Sequence, residues 1–174
     1  MNMLRVVIAP LFALALLFPG CARKESAEGT PGAAPVGSTK DGAPPAAAGR
    51  AIEITGNDQI KFSINEMRAK PGETLSVTLI NIGTMPKMSM GHNWVLLKDA
   101  KNVDAFVNEA AMAAATDYIP AGQKDAVYAH TKMLGPKERD TVTFNAPQQP
   151  GRYVYLCSFP GHYQVGMKGE LIVE

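Results

Sequence analysis

The sequence predicts an all-β domain, a sandwich or barrel of about eight short strands with one short helix on its side, behind an N-terminal segment that stays outside the fold. Three observations carry that expectation. Short alternating apolar runs separated by turn residues begin at Ala51. Apolar content of 46% against 19% charged in 174 residues is enough for one sizeable core. Residues 22–50 hold no aromatic side chain and only Val36 among branched apolar ones, so they have little to bury.

In chain order the strand-like runs are AIEIT, QIKFSI, TLSVTLIN, HNWVLLK, DAVYAH, DTVTFN, RYVYLCS and GELIVE. TLSVTLIN shows the period: Leu75, Val77 and Leu79 share one face while Ser76, Thr78 and Ile80 take the other. Pro-Gly pairs in KPGET and APQQPGRY reverse the chain. The exception to the strand pattern is VDAFVNEAAMAAA, residues 103–115, whose alanine content and the spacing of Phe106, Ala110 and Ala113 predict the side helix.

Residues 1–20 read as an export signal, a basic MNMLR followed by an apolar run from Val6 to Phe18. That run is shorter than the roughly 20 residues of a spanning helix. Gly20 followed by Cys21 is similar to a bacterial lipoprotein signal, which makes Cys21 the expected lipidation site; a plain secretory signal with an incidental cysteine is the other reading. Residues 21–50 are then the lipidated cysteine and an Ala/Gly/Pro-rich tether, and 51–174 the folded domain, exported to the periplasm and anchored as a lipoprotein. A net charge of +1 gives no reason to expect nucleic acid.

The chemistry concentrates in YLCSFPGHYQVGMKG, residues 155–169, which places Cys157, His162 and Met167 within one strand end and loop. Thiolate and thioether are soft ligands and imidazole is intermediate; two histidines, one cysteine and a weak axial methionine make a blue-copper electron-transfer centre. SMGHNW supplies the second histidine, His92, at the start of a predicted strand. Gly91 before it lets a backbone carbonyl approach a metal closely. His130 has no ligand type beside it and reads as a surface histidine, and Trp94 reads as core.

MPKMSMGHNWVLL, AHTKMLG, DTVTFN, CSFPGH with MKGELIV, and GNDQIKF near the domain start resemble the azurin branch of the cupredoxins over essentially all of 51–174. The resemblance implies a Greek-key β-sandwich holding one type 1 copper. His92, Cys157 and His162 would be its equatorial ligands, Met167 an axial one, and the Gly91 carbonyl a second axial contact. Backbone N–H groups of Asn93 and Phe159 would bond to the Cys157 sulfur. The function implied is single-electron shuttling between redox proteins, such as cytochromes or a terminal reductase or oxidase. These would dock on an apolar patch of Ile60, Met85, Met90, Phe159 and Pro160 around His162.

The chain departs from the azurin pattern in three places. Four residues, YQVG, separate His162 from Met167, as in auracyanins, where azurins have three. Cys157 is the one cysteine of the domain, so the azurin disulfide is absent, and Asn81 stands at the position of a histidine that azurins often carry. A copper enzyme needs a second set of histidines, and only His130 is left over. A copper carrier or sensor without an electron-transfer role is the alternative function.

Overall fold

The structure, a computed structural model, describes residues 49–174; the export signal, Cys21 and the tether up to residue 48 lie outside the described residues. The strands are β1 (Arg50–Asn57), β2 (Lys61–Phe62), β3 (Glu66–Ala69), β4 (Thr74–Asn81), β5 (Val95–Leu97), β6 (Val127–His130), β7 (Arg139–Asn145), β8 (Gly151–Leu156) and β9 (Lys168–Val173). They form a four-stranded sheet in the order β2-β1-β4-β7 and a five-stranded sheet in the order β3-β9-β8-β5-β6. Both sheets are mixed, since β1 with β4 and β3 with β9 run parallel while the other pairs are antiparallel.

The period-2 pattern of β4 does what it predicts. Leu75, Val77 and Leu79 are buried between the sheets with Ile54, Trp94, Leu96, Tyr155 and Leu171. On the other face Ser76 and Thr78 pair across to Thr143 and Thr141 of β7, at 2.9 and 2.7 Å between hydroxyl oxygens. Trp94 is core as expected, its ring against Phe144 and Tyr155 and its indole N–H without a hydrogen-bond partner among the described residues.

Four expectations need correction. The described residues hold nine strands, and the one missed is β3, where Met67 and Ala69 are buried between Glu66 and Arg68. EMRA alternates, but it is four residues long and lacks the branched and aromatic side chains that mark a strand. QIKFSI contributes only Lys61–Phe62, because Ile60 lies in a tight turn with φ 57° and its N–H donates to the Asn57 carbonyl at 2.9 Å. His92 precedes β5 rather than beginning it, in a lone bridge to Leu134.

The side helix is the fourth. A one-turn helix, α1 (Lys87–Met90), follows Pro86, and the expected helix is α2 (Val103–Ala110), which ends before Ala113. Val103, Phe106, Val107 and Ala110 pack against Val95, Leu97 and Leu156 on the outer face of the larger sheet. Past Ala110 that apolar face stops, with Met112 89% exposed, and Asp117 and Tyr118 turn the chain with positive φ. Alanine's helix preference is too weak to extend a helix with nothing to bury.

Candidate metal centre

The ligand loop is laced by its own backbone. Cys157 directly follows β8, and its N–H donates to the Met167 carbonyl at 3.1 Å. The Met167 N–H donates to the His162 carbonyl at 2.9 Å and the Gly166 N–H to the Tyr163 carbonyl at 3.0 Å. Those last two bonds, with Gly166 at φ 100°, form a Schellman closure of one helical turn. The turn accommodates the fourth residue between His162 and Met167, so the longer spacing still returns Met167 to the site.

On the other side, His92 is pinned to Leu134 by two backbone bonds, His92 N–H to Leu134 O at 3.1 Å and the reverse at 2.8 Å. Asn81 donates its side-chain N–H to the same Leu134 carbonyl at 3.2 Å and accepts from Gly83 N–H at 2.9 Å, both buried. The Asn93 side chain ties the two halves together, accepting from Ser158 N–H at 2.9 Å and donating to Ser158 Oγ at 2.8 Å.

His92, Cys157 and His162 converge. Their ligand atoms lie within 4.8 Å of one another, with Cys157 Sγ 3.4 Å from His162 Nδ1 and 4.0 Å from His92 Nδ1. Three donors each about 2.0–2.3 Å from one first-row ion stand roughly 3.5–4.0 Å apart in a trigonal plane. The two sulfur-to-nitrogen separations are close to that range and the whole set lies within 4.8 Å, so a small inward shift of the imidazoles closes it on such an ion. His92 Nε2 lies 3.1 Å from the Asn57 carbonyl, which can only accept, so Nε2 carries the proton and Nδ1 presents its lone pair. Gly91 O lies 4.0 Å from the sulfur.

Met167 is fully buried, and Gly56 gives it room: a Cβ there would lie 3.0 Å from the Met167 methyl and 3.1 Å from His92 Cδ2. Burial pushes the Cys157 thiol up to about 12, opposed by N–H groups of Asn93 and Phe159 that favour the thiolate. His162 is pushed down to about 4 by burial and secondarily by His92. Burial also lowers His92, against the bond to Asn57 and the Asp58 charge. Buried neutral imidazoles and a thiol that surrenders its proton only to a strong Lewis acid are the donor set of a soft-to-borderline metal site.

His130 is exposed on β6, outside the triad. Of the expected apolar patch, Met85 and Pro160 are exposed and Ile60, Met90 and Phe159 half-buried, with the Phe159 ring 4.6 Å from that of His162. Sequence reasoning missed Gly56, Asn57 and Asp58 as supports of the site, although GNDQI carried a signal: a glycine inside a strand pattern marks close approach. It also missed Met88, 90% exposed, together with Ile82 and Val165.

The sequence profile of copper binding proteins of the plastocyanin/azurin family matches residues 48–174. The chain belongs to that family. It is 41% identical over 121 residues to the azurin of Achromobacter denitrificans, covering 68% of this chain and 80% of that one. Dithionite-reduced auracyanin from Roseiflexus castenholzii superposes with a TM-score of 0.62 at 39% identity, over 71% of this chain and 96% of that one. An azurin of Methylomonas sp. strain J gives 0.64 at 32% identity, over 72% and 98%. The cupredoxin sandwich is thus confirmed, and His92, Cys157, His162 and Met167 form a type 1 copper site of an electron-transfer protein. Copper supplies a one-electron couple; the chain supplies a donor set that is assembled and dry beforehand.

Two outcomes follow from this geometry. Gly56→Ala places a methyl against both Met167 and His92, and is expected to shift the visible and EPR spectra and weaken copper binding about tenfold. Competition titration checks this, and unchanged spectra and affinity contradict it. Copper uptake between about pH 7 and 9 should release about one proton, from Cys157, because both histidines are already neutral there while the thiol is not yet ionised. Affinity then rises about tenfold per pH unit. Calorimetry in two buffers of different ionisation enthalpy measures the proton count, and zero protons contradicts the assignment.

Proposed function

We propose that the chain shuttles single electrons between redox proteins outside the cytoplasm, held to a membrane by a lipid on Cys21, with partners docking over His162. The observation that carries the docking face is the order of burial. His92, Cys157 and Met167 have no exposed surface and His162 has 3%, in a loop whose Pro160, Gly161 and Val165 are exposed. Electron coupling falls steeply with distance, so a partner does best to approach His162.

The Phe159 ring lies 4.6 Å from that of His162, and with half-buried Ile60 and Met90 and exposed Met85 and Pro160 it would supply an apolar rim that sheds water readily. Asp58 holds part of it in place, accepting from Thr84 N–H at 2.8 Å and Thr84 Oγ at 2.9 Å. Rapid turnover calls for an interface below about 1,200 Å². The Gly91 carbonyl serves as a second, weak axial contact. Electron shuttling is favoured over copper carriage because the ligand loop is locked by its own hydrogen bonds, which suits an unchanged geometry in both oxidation states better than ready metal release. No enzymatic role is assigned.

Met90→Asp sets a hydrated charge into a surface that must desolvate, without touching a ligand. Electron self-exchange, read by NMR line broadening at fixed ionic strength, should slow about tenfold or more, while the visible spectrum stays unchanged. Self-exchange as fast as the parent's would mean that the electron leaves by another face.

A further inference from the structure

The segment in front of His92 carries more sulfur than a docking rim needs. Met85, Met88 and Met90 fall within six residues, and Met88 is 90% and Met85 42% exposed. Any aliphatic side chain would make an apolar rim. What distinguishes methionine is a polarisable thioether, a ligand for Cu(I) and a poor one for harder ions, on a side chain with three rotatable bonds.

The three lie on one short turn and the residue that leads into it. The Pro86 carbonyl accepts from Ser89 N–H at 3.0 Å and Met90 N–H at 2.9 Å, so residues 86–90 make a single turn. Met85 N–H is held to Asp58 Oδ1 at 3.4 Å at the start of that turn. Inward from it, Met133 is 2% exposed, and its Sδ lies 2.9 Å from where a Gly91 Cβ would stand. The Gly91 carbonyl in turn lies 4.0 Å from Cys157 Sγ. Burial grades these sulfur-bearing residues from exposed Met88 and Met85, through half-buried Met90, to buried Met133 and Cys157, the last two both beside Gly91.

We propose that Met85, Met88 and Met90 form a thioether port that captures Cu(I) at the surface and passes it, past Gly91 and Met133, to His92, Cys157 and His162. The proposal rests on the copper reading of the site and adds the route by which the ion arrives and its oxidation state. Thioethers are neutral, so capture displaces no proton. On arrival the Cys157 S–H bond breaks, its proton leaves to water, and a bond from Sγ to Cu(I) forms with no electron transferred.

The test follows Cu(I) transfer from its coloured bicinchoninate complex to the full-length apo-protein by stopped flow. The parent is compared with a variant carrying Met85→Leu, Met88→Leu and Met90→Leu, which keeps volume and apolarity and removes sulfur. Cu(I) uptake should slow about tenfold or more, with Cu(II) uptake within about twofold of the parent and the same final blue spectrum after oxidation. In the silver-loaded parent, a second equivalent of Ag(I) should shift the methyl resonances of these three methionines. Equal Cu(I) rates, equal slowing of both ions, or unmoved methyls would overturn the port. A parent that never turns blue would instead overturn the copper site itself.

Discussion

The copper end of the molecule depends on one constraint: Cys157 Sγ must be held out of water, within metal-bridging distance of two neutral imidazoles. Left alone, burial keeps this thiol protonated, with its pKa near 12, and holds His162 neutral down to about 4. Each group by itself is an unfavourable thing to bury. Together, with the sulfur 3.4 Å from His162 Nδ1 and 4.0 Å from His92 Nδ1, they are a donor set that one metal ion would satisfy. Metal affinity and the cost of that burial are therefore two sides of one arrangement.

The sandwich exists, on this view, to deny the site any way to relax. His92 and Cys157 come from different parts of the chain, and each is clamped by main-chain bonds, His92 to Leu134 and Cys157 to Met167. Asn93 and Ser158 bridge the two segments through a buried reciprocal pair. Trp94, two residues beyond His92, is packed among Phe144 and Tyr155, so the strand entering the site is anchored in the core between the sheets. A disulfide is not needed to fix these elements; Cys157 is the one free cysteine among the described residues. A rigid donor set keeps reorganisation small when the ion changes charge.

Much of this was legible before any coordinates. Alternation in TLSVTLIN identified both faces of β4, and Cys157, His162 and Met167 were recognisable because three metal-ligand types fell within one short loop. What escaped was whatever depends on a partner distant in sequence. β3 is a strand only because β9 lies beside it, and EMRA has no strand preference of its own. The helix over 103–115 was overextended because alanine content says nothing about where the sheet beneath it ends. The four-residue spacing to Met167 left its placement open in the sequence, yet Gly166 held the answer: a left-handed residue closing a turn. Asn81, at the position where azurins often carry a histidine, is a buried amide bracing the residue that pins His92, a role its sequence neighbours do not announce.

A type 1 centre requires a thiolate bond from Cys157 to Cu(II), and the visible absorption spectrum of the oxidised, copper-loaded full-length chain, beside that of Cys157→Ser, reports that bond directly. One copper per chain with an intense thiolate-to-Cu(II) charge-transfer band in the parent, and loss of that band in the serine variant, is the predicted result. A parent that binds copper without the band, or a serine variant that stays blue, would contradict it.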